Sequence, residues 1–262
     1  MNRVGVDGVA VDADMGSWVV LAMAFVAAGV LNALAGGGSF LTFPALLLTG
    51  LDARAANITS TLALFPMQVS TGFAGRGMAG DAPNLSFREM FIVSLFGGSV
   101  GAILLLLTPS NVFARMVPWL ILFATLLFAY GSFWRRPVAA DAAHRIDRRA
   151  SLLMQAGISI YGGYFGGGIG FLMLAALTLA GMAIRKAGAT KNILAAAMNA
   201  AAVLVFVFSN AIGWWQAAVG AAASMAGGAL GVRLLHRVNE RALRLAVVVI
   251  GLALTVAMFI IR

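Results

Sequence analysis

Long apolar stretches separated by short polar loops run along almost the whole chain. They form eight segments, approximately 18–50, 56–75, 88–107, 113–133, 151–183, 190–209, 213–232 and 243–261. Six of them have the length of a single membrane-spanning helix, which needs about 20 apolar residues. The pattern therefore predicts an all-α polytopic membrane protein.

The two long segments, 18–50 and 151–183, hold 33 residues each. A straight helix of that length would measure about 50 Å, whereas the hydrocarbon core of a bilayer is about 30 Å thick. Each long segment contains a glycine triplet, Gly36-Gly37-Gly38 or Gly166-Gly167-Gly168. Because glycine weakens a helix, we expect each segment to turn at its glycines and return as a broken helical hairpin.

The chain shows signs of an internal duplication with an offset of about 130 residues. Each glycine triplet is followed by an apolar run and then by a helix start rich in small polar residues, 57–61 or 188–192. A second glycine pattern, Gly97 to Gly101, recurs at Gly227 to Gly231, and its simplest interpretation is close helix packing. Each half then holds one glycine-broken hairpin and three transmembrane helices. Because three is odd, the halves enter the membrane from opposite sides, as in an inverted-topology repeat.

Loop charges agree with this arrangement. If both long segments are hairpins, 14 of the 18 basic residues face the side that carries the linker 134–150. If each crossed once, the basic residues would divide equally. The positive-inside rule therefore favours hairpins, a cytoplasmic linker and two extracytoplasmic termini in an inner-membrane protein. The predicted regions are an N-terminal tail at 1–17, a first repeat at 18–133, the basic linker at 134–150 and a second repeat at 151–262.

The distribution of charge also limits the chemistry. The net charge is +9, which we assign to cytoplasmic loops and not to nucleic-acid binding. All nine acidic residues and both histidines lie in tails, in loops or at helix edges, and cysteine is absent. Cation relays and metal-dependent or acid–base enzymes need such groups inside the membrane. We therefore expect neither an enzyme nor a bound cofactor or metal.

The order and spacing of these motifs resembles the sulfite exporter TauE/SafE family of membrane permeases. The residues that carry the likeness are Ala28-Gly29 through Gly38 with Pro44 and Gly50, Ala56 to Thr61, Tyr161 through Gly170, and Gly188 to Asn192 with Asn199. The resemblance implies export or import of sulfite or of small organosulfur anions such as sulfonates. Ser39 departs from it, because a fourth glycine is common there.

Helix breaks of this kind suggest an anion site. The helix that starts after each triplet offers unpaired N–H groups and a positive dipole end, and glycine lets an anion approach the backbone. The predicted substrate-binding residues are Gly36, Gly37, Gly38, Ser39, Thr59, Ser60, Thr61, Gly166, Gly167, Gly168, Thr190, Lys191, Asn192 and Asn199. Asn32, Tyr164 and Gln68, the rough counterpart of Asn199 in the first half, are further candidates.

Structural interpretations of the same residues remain open. The glycines would also serve as packing hinges, the threonines as helix caps, Lys191 as a cytoplasmic charge and Asn199 as an interhelical hydrogen-bond partner. The favoured function is transport of a small anion by alternating access. The alternatives are a non-transporting membrane scaffold subunit and an anion channel. The expected partners are the anion, the lipid bilayer and, as a candidate, a second copy of the chain in a homodimer.

Overall fold

Helices make up most of the computed structural model, which describes residues 15–34, 37–130, 133, 147–234 and 240–260. The predicted N-terminal tail up to residue 14, most of the linker 134–150 and Gly36 lie outside the described residues. The α-helices in the described part are α1 Met15–Leu34, α2 Ser39–Leu47, α3 Ala53–Gly75, α4 Phe87–Leu107, α5 Ser110–Ala129, α6 Arg148–Tyr164, α7 Ile169–Leu179, α8 Ile184–Phe206, α9 Trp214–Leu234 and α10 Glu240–Ile260. A short 3₁₀ helix, Arg76–Met78, follows α3.

Both long apolar segments break at their glycines, as the sequence predicts. The first divides into α1 and α2, and the second divides into α6 and α7. Gly37, Gly166 and Gly168 adopt left-handed backbone conformations, with φ of 84°, 74° and 76°. Residues with a Cβ rarely adopt this conformation, so these three positions explain why glycine is needed.

The second arm of each broken segment is too short to cross a bilayer. With nine residues, α2 is about 14 Å long, and with eleven residues α7 is about 17 Å long. Each short arm packs against the longer helix that precedes it. The length of each arm is thus about half the thickness of a hydrocarbon core.

Four of the described helices are long and apolar enough to span a membrane. These spans are Met15–Ala33, Phe87–Leu107, Ser110–Ala129 and Ile184–Phe206. The prediction of a helical protein with membrane-spanning segments is therefore confirmed for the described residues.

Each half packs its broken segment against the other half. Helix α1 lies along α9, and α6, which holds the place of α1 in the second half, lies along α4. Helices α3 and α8 contact each other in the middle, and α5 contacts α10. Most of the main helix contacts therefore recur when the two halves are exchanged, and the α3–α5 contact and those of the 3₁₀ helix are exceptions.

Glycines allow α1 to pack closely against α9, and α4 to pack closely against α6. A Cβ built on Gly227 would collide with the backbone of Val26 in α1. One built on Gly101 would collide with the backbone of Ile160 in α6. In the same way, Gly97 lies against α6 and Gly231 lies against α1. The packing interpretation of the second glycine pattern is confirmed, because at these points one helix touches the backbone of another.

A polar anchor ties the start of α3 to the turn between α4 and α5. Asp52 caps α3 by accepting from the Arg54 and Ala55 amides at 2.8 and 3.1 Å, and it accepts from the Ser110 hydroxyl at 2.5 Å. Burial raises the pKa of the Asp52 carboxyl, but these hydrogen bonds outweigh that effect and leave the pKa below its usual range. Arg54 Nη1 donates to the carbonyls of Leu106 and Thr108.

The packing predicts unequal effects of alanine at two glycines of α6. A Cβ at Gly163 would overlap the carbonyl of Gly98 in α4, whereas nothing lies within 4 Å of a Cβ at Gly157. Overpacking of this kind costs about 1–3 kcal/mol. Gly163→Ala should therefore lower the melting temperature of the protein in detergent, and Gly157→Ala should not. Equal melting temperatures for the two variants would contradict the close approach of α4 and α6.

Candidate functional site

A cavity of about 40 Å³ lies where the two helix breaks meet. Its volume is enough for about three water molecules or for a small anion. The residues that line it come from both halves and are Asn32, Gly37, Ser39, Met67, Gln68, Thr71, Gly166, Gly168, Ile169, Gly170, Lys191, Asn192 and Ala195. The predicted convergence of the two glycine tips is thus a feature of the structure.

The starts of α2 and α7 form part of the cavity wall. Ser39 is the first residue of α2, Ile169 is the first residue of α7, and both line the cavity. The residues preceding them, Gly38 and Gly168, have no side chain to cap the helices. Two positive helix ends therefore face the same space, which favours a negatively charged occupant.

Lys191 adds a full positive charge to this wall. It lies in the second turn of α8, is half-buried and lines the cavity beside Asn192. Among the residues that the structure describes, the ion pair that forms is between Arg148 and Glu89, and no carboxylate balances Lys191. An ammonium without a counter-ion in a small cavity is suited to an anion.

Asn199 reaches the cavity through another residue. It is 2% exposed and its Nδ2 donates to Gln68 Oε1 at 2.5 Å. Gln68 lines the cavity and Asn199 does not. The interhelical hydrogen bond that the sequence left open as an interpretation of Asn199 is therefore present, and it joins α8 to α3.

The hydroxyl groups predicted in the first half have partners within the protein. Thr59 is buried and its Oγ1 accepts from the Gly213 amide at 3.0 Å. Ser60 Oγ lies 2.6 Å from Thr42 Oγ1, which connects α3 to α2. Neither residue lines the cavity. Neither caps α3, because that helix already begins at Ala53.

The remaining predicted hydroxyls behave in the same way. Thr61 donates to the Asn57 carbonyl at 3.0 Å, one helical turn earlier. Thr190 Oγ1 accepts from the Gly80 amide at 3.1 Å and is fully buried. Thr190 does not cap α8, whose first residue is Ile184. Thr59, Ser60 and Thr190 thus connect their helices to other segments, whereas Thr61 bonds within α3. A direct role of these four hydroxyls as ligands stays a prediction without support from the cavity.

Two predicted glycines stabilise the breaks from behind the cavity wall. The Gly38 amide donates to Asn32 Oδ1 at 2.9 Å, and the Gly167 carbonyl accepts from the Tyr161 hydroxyl at 3.0 Å. Tyr164, a further candidate, does not line the cavity and donates to Thr108 Oγ1 at 3.3 Å.

Sequence reasoning missed several cavity residues. Thr71 and Ala195 belong to the wall but to no motif. Thr71 lies three residues after Gln68 on α3, and Ala195 lies four after Lys191 on α8. Residues at these spacings share a helix face. The helical periodicity that starts from Gln68 and Lys191 could therefore have identified Thr71 and Ala195 as cavity residues.

Comparison with known proteins identifies the family. The family model described as sulfite exporter TauE/SafE matches residues 21–258. The chain belongs to this family. The predicted family resemblance is confirmed, and the match covers most of both predicted repeats.

Curated relatives of this TauE/SafE protein carry general transporter names. The probable membrane transporter protein of Haemophilus influenzae is 29% identical over 243 residues, covering 92% of this chain and 93% of the relative. The probable membrane transporter protein ORF9 of Sinorhizobium sp is 29% identical over 250 residues, covering 90% and 91%. YfcA of Escherichia coli K12, also called a probable membrane transporter protein, is 27% identical over 237 residues, covering 88% and 86%. No solved structure matches the chain.

The geometry of the tips predicts that a single methyl group will impair anion binding. Gly37→Ala and Gly166→Ala each place a Cβ on a left-handed residue of the cavity wall, at a cost of about 1–2 kcal/mol. The resulting backbone shift should weaken sulfite binding at least several-fold in an equilibrium titration, while the protein still elutes as a folded species. Gly188→Ala in α8, where nothing lies within 4 Å of the added Cβ, is the control. Wild-type affinity in both tip variants would contradict a role for the tips in binding.

Proposed function

We propose that this TauE/SafE protein transports small anions, namely sulfite or organosulfur anions such as sulfonates, across the inner membrane by alternating access. The observation that carries the proposal is the cavity between the two helix breaks, which combines two helix starts with the Lys191 ammonium. No described carboxylate pairs with that ammonium. A pyramidal or tetrahedral oxyanion has oxygens on several sides and can accept from all three sources of positive potential at once.

The symmetry of helix contacts supports alternating access. The halves exchange equivalent contacts, and each contributes one broken segment and one short arm to the cavity. In an inverted-topology repeat, rocking of one half against the other would expose this cavity to each side of the membrane in turn. The charge distribution supports extracytoplasmic termini and a cytoplasmic linker.

Two other functions make different predictions. Glycine-mediated packing without a polar cavity would favour a scaffold subunit, and the cavity lined by Lys191, Asn192 and Gln68 argues against that function. An anion channel would share the cavity but conduct without coupling. The functions are separated by flux of labelled sulfite, methanesulfonate and acetate into proteoliposomes, with and without anion on the opposite side. A flux that becomes faster when anion is present on the opposite side supports alternating access. A flux that does not depend on anion on the opposite side supports a channel, and the absence of flux supports a scaffold.

Removal of the cavity charge should weaken anion binding. Lys191→Gln keeps polarity and approximate length but loses a charge-assisted hydrogen bond of about 1–2 kcal/mol, which corresponds to a roughly 5- to 30-fold higher dissociation constant for sulfite. Lys186→Gln is the matched control, because Lys186 is an exposed lysine in the first turn of the same helix. Equal dissociation constants for wild type and Lys191→Gln would remove Lys191 from the site.

The proposed topology has its own test. The chain contains no cysteine, so cysteines introduced at Asp7, Ala142 and Arg262 are unique labelling targets. A membrane-impermeant maleimide added to intact spheroplasts should label positions 7 and 262 and should reach position 142 only after lysis. Labelling of Ala142→Cys in intact spheroplasts would overturn the topology.

A further inference from the structure

Two carboxamides meet at the crossing of α3 and α8. Gln68 and Asn199 stand 131 positions apart, close to the offset of the duplication, and their side chains are joined by the hydrogen bond from Asn199 Nδ2 to Gln68 Oε1. Gln68 faces the cavity, and Asn199 is buried behind it. The Gln68 amide therefore lines the cavity, and the Asn199 amide behind it has Gln68 as its hydrogen-bond partner among the described residues.

This hydrogen bond determines which end of Gln68 is available to a ligand. Its Oε1 is already occupied by Asn199, and no residue in the described part of the chain accepts from its Nε2. A carboxamide has one acceptor end and one donor end, so Gln68 is left with a donor for the cavity. An anion, which offers acceptors, would bind to that donor.

Asn32 shows the same arrangement on another wall of the cavity. Its Oδ1 accepts from the Gly38 amide, so its Nδ2 is the end that remains. Two of the three carboxamides in the wall thus have their oxygens occupied by protein N–H groups. The third, Asn192, neighbours Lys191.

Asn199 is itself incompletely satisfied. Its Oδ1 is buried, and no hydrogen-bond donor among the described residues reaches it. A buried acceptor without a partner is unfavourable. If the two amides were reversed, Gln68 would donate to Asn199 and would present its own oxygen to the cavity, where it would repel an anion. The observed orientation is the one that an anion stabilises.

We propose that Asn199 is a positioning residue, which holds the Gln68 amide so that its Nε2 donates to the transported anion. This rests on the proposed function. It replaces the sequence-based expectation of Asn199 as a ligand with a pair in which Gln68 touches the anion and Asn199 acts through Gln68. The specificity that follows is for an anion with an acceptor oxygen at this wall.

A double-mutant cycle on anion affinity tests the pairing. Sulfite dissociation constants are measured for wild type, Gln68→Leu, Asn199→Leu and the double variant, with leucine chosen because its size is close to that of both amides. Gln68→Leu should weaken binding roughly five- to tenfold, the size of one hydrogen bond. Asn199→Leu should weaken binding to a similar or smaller extent in wild type and should have no further effect once Gln68 is Leu.

The controls separate positioning from folding. Thr125→Val replaces the hydroxyl of another buried side chain, whose Oγ1 has no described partner. Thr125 lies on α5 and does not line the cavity, so sulfite affinity should not change. Asn199→Ser is a smaller substitution for use if Asn199→Leu does not fold, and it is carried through the same cycle. Melting temperatures accompany each titration.

The outcomes are distinct. Loss of affinity in Asn199→Leu that disappears in the Gln68→Leu background supports the inference. Equal losses in both backgrounds, or a Gln68→Leu variant with wild-type affinity, overturn it while leaving the anion site in place. A wild-type protein that binds no sulfite, sulfonate or other anion contradicts the proposed function itself.

Discussion

A peptide N–H or C=O group that loses its helical partner inside a bilayer has no water to replace that partner, so a helix break there must be satisfied by the rest of the protein. Both breaks in this fold meet that requirement with nearby side chains. Asn32 accepts from the Gly38 amide in the first break, and Tyr161 donates to the Gly167 carbonyl in the second. Asn57 of the first half donates to the Tyr164 carbonyl at the end of α6, at 3.1 Å. Asn32 also lines the cavity, so the support of the first break and the cavity wall share a residue.

The same constraint explains why the halves are packed so closely. Each broken segment is supported by the other half, α1 by α9 and α6 by α4, with glycines at the contacts. A larger residue at these contacts would separate the helices, and the two breaks would no longer face one cavity. The glycines at the tips and the glycines in the helix contacts therefore have different local roles but a common consequence, which is the position of the cavity.

The sequence predicted the features that depend on local composition. The helix breaks follow from the left-handed residues that glycine permits, and the four helices able to span a membrane follow from apolar length. The roles of individual polar residues depend on distant partners. Thr59 is bound by the amide of Gly213, 154 positions away, and Thr190 by that of Gly80. No local pattern reveals such a partner, and for the same reason the sequence did not separate Gln68, which faces the cavity, from Asn199, which lies behind it.

We infer that the two helix breaks and Lys191 form one anion site. Its most direct test is anomalous diffraction from crystals soaked in selenite, in which selenium marks a close analogue of sulfite. We expect an anomalous peak within hydrogen-bonding distance of Lys191 and of the starts of α2 and α7. Selenite bound at another place, with this cavity empty at saturating concentration, would contradict it.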